Sequence, residues 1–488
     1  MRSCVSLSLS AVLVWASVAD AQRLEALRPE TLKYVRVGTP NVILEHVQVI
    51  DGTGLAPVAD QNIYLSGGKI TTISAGADVA ASKDTTILDL RGYTVAPGIV
   101  GMHNHLFYIA LPNLDANWNF DNPLAIPQMT FSAPRLYLAN GVTTMRTTGS
   151  VETYTDLELK RAIEAGTLPG PHLDVTGPYL QGPNDIFIQM HTLTGPEDAR
   201  QTVDYWADRG VTSFKAYMHI TRDELRAAVR AAHKRGLKIT GHLCSITYEE
   251  AAEIGIDDLE HGFFVNTELD PDKKADTCSD SQGDYTLEHM SPGSAEANKL
   301  IATLVSHHVA ITSTLPVFEA GVPDRPPLRV AAMQALSDAA REAYLYRRSR
   351  PVGKPSHRDA AALLRRDMDL ERAFVAAGGL LLAGPDPTGN GGVIPGFGDQ
   401  RGIELLVEAG FTPVEAIRIA TLNGAIYLGR QDQIGSITTG KNADLMVIKG
   451  DPATTIADIE NVEIVFKDGV GYDSSKLNGS VRGRYGEY

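Results

Sequence analysis

Short apolar runs separated by Gly and Asp turns occupy residues 41–94 and predict β structure at Val42 to Val49, Asn62 to Leu65, Lys69 to Ser74 and Thr86 to Leu90. The end of the chain repeats the pattern, with strands expected over Ala443 to Ile448 and Val462 to Phe466. Two β segments flanking a long middle predict one small β-sandwich built from both chain ends. The middle alternates apolar runs with helical spacing. Its expected strands are Thr94 to Met102, Val142 to Arg146, His172 to Gly177, Val211 to Tyr217, Leu237 to His242, Asp258 to Gly262, Val309 to Thr314 and Leu380 to Ala383. Helices are expected at Arg222 to Arg235 and at Tyr248 to Ile254, the second opened by Thr247 with Glu250 completing a capping box.

Strands alternating with helices in this way favour a (β/α)8 TIM barrel over an open doubly wound sheet. No G-x-G-x-x-G follows the first barrel strand, which weakens a dinucleotide-binding reading. The expected division is a leader at 1–21, sandwich at 22–94 and 431–488, and barrel at 95–430. Two long excursions, Asn266 to Pro292 and Pro316 to about Leu370, follow the sixth and seventh barrel strands, where lids and specificity walls are built.

Composition narrows the class. With 488 residues, 43% hydrophobic and 21% charged, the chain is a globular protein rather than a disordered or fibrous one. A net charge of -15 argues against non-specific binding to nucleic acid or to an anionic membrane surface. Arg2, the apolar run Val5 to Val18 and the small residues Ala19-Asp20-Ala21 predict a secretory signal peptide cut after Ala21, placing the mature chain outside the cytoplasm, secreted or periplasmic. No later run is long enough for a membrane span. Cys244 and Cys278 remain after cleavage, and the sequence leaves open whether they pair. The expected partners are a small-molecule or peptide substrate and further copies of the chain in a homo-oligomer.

The candidate chemistry lies at strand ends. His103 and His105 stand two apart, so on a strand their side chains share a face. Alone the pair is weak: with 13 His in the chain, random placement gives roughly a third of an H-x-H. Lys215 closes Thr212-Ser213-Phe214, His242 closes Leu237 to Gly241, His261 closes Asp258-Leu259-Glu260, and Asp386 follows Leu380 to Pro385. Polar residues at the C-terminal ends of barrel strands read as catalytic, because active sites of that fold lie there. His191, His219 and His307-His308 fit no such pattern and read as structural or peripheral.

This ordered set of H-x-H, Lys, His, His and Asp resembles the metal-dependent amidohydrolase superfamily, in its imidazolonepropionase-like and prolidase-like branch. Gly435 to Leu445, with Gly450-Asp451-Pro452, is similar to that family's returning sandwich strands, so the resemblance spans nearly the whole mature chain. It implies two divalent metals, zinc being expected. His103, His105 and Asp386 would hold the more buried metal, and His242 and His261 the second. Lys215, carbamylated by CO2, would bridge them. Imidazoles and anionic oxygens suit Zn²⁺. A lysine ammonium would be repelled there, whereas its CO2 adduct is an anionic oxygen donor. Two metals lower the pKa of a bridging water and polarise a carbonyl. Asp386 would take the water's proton and pass it to the leaving nitrogen.

Two departures from the branch touch the substrate pocket rather than the metals. Leu243-Cys244-Ser245 lacks the aromatic that many relatives carry two positions after the strand-five His, and Arg146-Thr147-Thr148 replaces a frequent Arg-Asp. The resemblance implies hydrolysis of an amide bond, in dipeptides or N-acyl amino acids, ochratoxin-type amides among them. Cyclic-amide hydrolysis or deamination is the alternative. Deaminases of the superfamily usually lack the strand-four Lys and carry Glu where this chain has Ser245. A catalytically inactive binding protein ranks last, since all six polar positions are present. A substrate carboxylate calls for a cation, and the excursion after strand seven offers Arg325, Arg329, Arg347, Arg348 and Arg350, with Tyr217 as a further substrate contact.

Overall fold

The computed structural model describes residues 24–80, 82–108, 126–183, 187–349, 359–388 and 393–487. The expected leader lies outside them. Six strands come first: β1 (Val35–Val37), β2 (Asn41–Val49), β3 (Val58–Ser66), β4 (Lys69–Ala75), β5 (Thr85–Asp89) and β6 (Tyr93–Pro97). The barrel strands are β7 (Ile99–Asn104), β8 (Val142–Thr147), β9 (His172–Leu180), β10 (Ser213–Ala216), β11 (Lys238–Gly241), β12 (Asp258–Glu260), β13 (Ala310–Ser313) and β14 (Leu381–Ala383). The chain then returns through β15 (Leu445–Lys449), β16 (Val462–Lys467) and β17 (Val470–Asp473).

Strands β1 to β6 and β15 to β17 form one nine-stranded sheet, in which β15 from the C-terminal part pairs with β6 from the N-terminal part. Its apolar positions bury Val42, Leu44, Ile63, Ile70, Val95, Leu445, Val447, Ile464 and Phe466 in a core of its own, separate from that of the barrel. This is the small sandwich that the two terminal β segments predict.

Strands β7 to β14 form an eight-stranded parallel sheet in sequence order, a TIM barrel. Closure depends on Gly384, just after β14. A β-carbon there would meet the His103 backbone nitrogen at 2.2 Å, so only glycine lets the last strand approach the first. The Asp386 N–H completes the seam by donating to His103 O at 3.1 Å.

The run expected as a single strand over Thr94 to Met102 is two strands. Pro97 ends β6 opposite Leu445 in the sandwich, and the chain enters the barrel at Ile99. Gly98 makes the transfer possible: a β-carbon would sit 2.1 Å from Thr143 Oγ1. The sandwich therefore keeps the chain to Pro97, beyond the expected boundary at residue 94.

Local signals specify the helices well. Arg222–Lys234 starts at a capping box of Thr221 and Glu224 and buries Leu225, Ala228, Val229 and Ala232. Tyr248–Ile254 starts at the expected box of Thr247 and Glu250 and stops at Gly255 in the left-handed region. The excursion after β12 is tied back by a disulfide between Cys244 and Cys278. The one after β13 carries helices Leu315–Glu319, Val330–Ala335 and Asp338–Ser349 before the long helix Ala360–Ala376. Among the described residues, no helix is long and apolar enough to cross a membrane.

Candidate active site

The six strand-end residues converge at the C-terminal mouth of the barrel. His103 Nε2 lies 3.2 Å from Lys215 Nζ and 3.4 Å from Asp386 Oδ1, and His105 Nε2 lies 3.0 Å from the same Asp386 oxygen. The His261 ring centroid is 4.6 Å from that of His103 and 4.4 Å from that of His242. His103, His105, Lys215, His261 and Asp386 are buried, and His242 is half-buried.

Burial sets the protonation states. It pushes His105 down to about 4 and His242 down to about 3, in the second case helped by the Lys215 charge. His261 is driven well below its ordinary value by burial and by His242 and His103. Imidazoles so placed are neutral and offer lone pairs. Burial also lowers Lys215 to about 8, against the pull of Glu260 and Asp386. It opposes the charge on Asp386 as well, but His103 and His105 hold that carboxyl well below the usual range.

A layer of charge beneath the mouth fixes the rings. His103 Nδ1 lies 2.7 Å from Glu260 Oε2. A carboxylate there keeps the proton on Nδ1 and leaves Nε2 free to act as a ligand. Glu260 and Asp258 share the guanidinium of Arg146, at 2.8 Å and 2.6 Å, all three side chains having no solvent exposure. Arg146 Nε donates to Met102 O at 2.9 Å, and Thr240 and Thr312 donate to the two carboxylates. Asp258 and Glu260 alternate with Leu259 and point into the barrel, so regular strand geometry would send His261 outward. A φ of 72° at His261 breaks that alternation and turns the imidazole inward.

The donor set fits a metal. One atom each from His103, His261 and Asp386 lies within 4.8 Å of the other two. His105 Nδ1 and His261 Nε2 are buried without a hydrogen-bond partner, which is costly unless another group satisfies them. Neutral imidazole nitrogens and a carboxylate oxygen are the donors that zinc and similar divalent ions take.

Aromatic side chains wall the mouth. Phe107 stacks on His105 at 4.4 Å between centroids, Tyr217 stands 5.0 Å from His242, and Phe318 stands 5.8 Å from His261. Tyr217 is thus beside the site. The arginines of the excursion are placed otherwise. Arg325 binds Glu319 and Glu408, both at 2.7 Å, and Arg329 binds Glu460 at 2.7 Å and Gln400. Arg348 donates to Arg325 O. The structure thus places the guanidiniums of Arg325 and Arg329 in ion pairs with Glu319, Glu408 and Glu460, where the sequence offers them as cations for a substrate carboxylate. The side chain of Arg347 and the whole of Arg350 lie outside the described residues.

The strand-end pattern assigns no role at the metal site to Arg146, Asp258, Glu260 or Thr314, whose Oγ1 lies 2.9 Å from His261 Nδ1. A signal for two of them was present. Asp258 and Glu260 put two acids on one face of a strand short enough to be wholly buried, and such acids need a buried partner.

The sequence model of the amidohydrolase family matches residues 94–342 and 363–471. No curated protein matches the chain in sequence. Similar solved structures include a Xaa-Pro dipeptidase with methionine bound in its active site, 20% identical, covering 89% of this chain and 100% of that one at a TM-score of 0.64. The ochratoxinase of A. niger is 17% identical over 92% of this chain and 99% of its own, at 0.63. A bottromycin amidohydrolase is 19% identical over 93% and 92%, also at 0.63.

Proposed function

Because this chain belongs to the amidohydrolase family, we propose that it hydrolyses an amide bond in a dipeptide or an N-acyl amino acid, with two divalent metals held by His103, His105, Lys215, His242, His261 and Asp386. The observation that carries the reading is the convergence of these side chains at the barrel mouth, with His105 Nδ1 and His261 Nε2 buried there and unpaired. His103, His105 and Asp386 would hold one metal and His242 and His261 the other, with Lys215 bridging as a carbamate; zinc is the expected ion. When bound, such metals polarise a scissile carbonyl and acidify a water.

The chain's own residues supply the rest. Glu260 holds the tautomer of His103, and Arg146 holds Glu260. The Asp386 carboxylate, kept ionised by its histidine neighbours, accepts a proton from the attacking water at a carboxylate oxygen and returns it to the leaving nitrogen. Phe107, Tyr217 and Phe318 exclude solvent around the reacting group. The similar folds of a Xaa-Pro dipeptidase and an ochratoxinase support an amide with an amino-acid half. Ser245 spends its hydroxyl on Ile220 O at 2.5 Å, which supports amide hydrolysis over deamination.

Export is proposed as well. The Cys244–Cys278 disulfide supports it, since such bonds persist in oxidising compartments. The deciding experiment measures metal content and turnover together. The mature protein is expected to hold two divalent ions, and Asp386→Asn to keep most of the metal while losing about 10²–10⁴-fold in turnover on a dipeptide panel. A metal-free wild type that still turns over amides would overturn the reading.

A further inference from the structure

The helix Ala360–Ala376 carries two acids that the proposed chemistry does not use. Asp367 and Glu371 stand one turn apart and are 1% and 0% exposed. Burial raises both carboxyls, Asp367 to about 7, and Asp367 raises Glu371 further. Among the described residues, no cation lowers either carboxyl.

What the pair faces is the turn behind His261. The Phe263 N–H donates to Asp367 Oδ1 at 2.7 Å. A β-carbon on Gly262 would meet Asp367 Oδ1 at 2.6 Å and Glu371 Oε1 at 2.8 Å, so both carboxyls lie directly against that backbone. Ser313 Oγ donates to Glu371 Oε2 at 3.0 Å and ties the pair to β13. From another side, Tyr248 Oη reaches Gly262 O at 2.9 Å, and the Gly262 N–H donates to Thr312 O at 3.0 Å. The held residues are the ones whose backbone departs from strand geometry: His261 at φ 72° and Gly262 at φ 59°.

We infer that Asp367 and Glu371 are positioning residues that lock the His261–Phe263 turn in the left-handed conformation aiming the His261 imidazole into the site. The inference rests on the two-metal reading above. A histidine resists positive φ, so the turn persists only where surrounding groups over-determine it. Without the carboxyl that accepts the Phe263 N–H, the turn can relax toward regular strand geometry, which swings the ring away from His242. The metal shared by His242 and His261 would then be held less tightly, while the one on His103, His105 and Asp386 would be little affected.

The test uses zinc alone as the probe, in competition with a chromogenic chelator, beside the thermal midpoint of the metal-free protein. Asp367→Leu, which removes the acceptor, is expected to weaken the looser of two zinc sites tenfold or more. Asp367→Asn keeps an acceptor oxygen and is expected to stay within threefold of wild type. Should Asp367→Leu fail to fold, Asp367→Ala removes the same acceptor without adding bulk. Equal midpoint losses in the Leu and Asn variants with unchanged zinc affinities would show a merely structural pair and overturn the inference. A wild type with no tight zinc site would instead sink the two-metal reading.

Discussion

Arg146→Met tests whether the buried charge layer beneath the mouth holds the site together. The guanidinium is fully buried, 2.6 Å from Asp258 and 2.8 Å from Glu260, and also donates to Met102 O. Methionine replaces most of the aliphatic stem, so the loss is chiefly electrostatic. It leaves two carboxyls without their cation. Burial and the Glu260 charge already raise Asp258 to about 7, whereas Glu260 is held at about 2 against burial by His103 and Arg146. Without Arg146, Asp258 takes a proton and the charge on Glu260 rests on His103, Lys215 and the Thr240 hydroxyl.

Removing one partner of a buried ion pair costs about 3–5 kcal/mol, because the remaining charge is uncompensated. The variant is therefore expected to lose about 4 kcal/mol in urea unfolding of the metal-stripped protein, followed by circular dichroism. Asp258→Asn added to it supplies a neutral side chain without the cost of protonating Asp258 and should restore about 2 kcal/mol, a coupling of the size seen within buried networks. Wild-type stability in Arg146→Met would refute the reasoning, and so would a double variant that loses the simple sum of the single losses.

Two further outcomes are expected. Replacing Cys244 and Cys278 with Ser opens a loop whose ends are 34 residues apart and should cost about 2–4 kcal/mol, read as faster proteolysis of the excursion after β12; unchanged cleavage would show that the bond constrains little. Gly384→Ala places a β-carbon 2.2 Å from the His103 backbone nitrogen, a contact no side-chain shift relieves, and should cost about 3 kcal/mol or more together with zinc binding. A Gly384→Ala protein with wild-type stability would mean that the first and last barrel strands are not so closely joined.

Much of this protein is legible in the sequence because the decisive information is local. His103, His105, Lys215, His242, His261 and Asp386 each interrupt or close an apolar run, and a barrel delivers such strand ends to one mouth whatever the loops between them do. The capping boxes at Thr221 and Thr247 act within one helical turn, so they too can be read from neighbouring residues. What tertiary structure decided depends on partners remote along the chain. Arg325 and Arg329 look like free cations until the fold brings Glu408 and Glu460 to them. Pro97 and Ile99 look like one strand until Thr143 packs against Gly98. His261 would face outward on an ordinary strand, and only a left-handed turn, braced by carboxyls more than a hundred residues away on another helix, points it inward. A residue's type and its place in a strand are written in its neighbourhood. Its direction and its charge partner are settled only when the distant groups that compete for it have been packed.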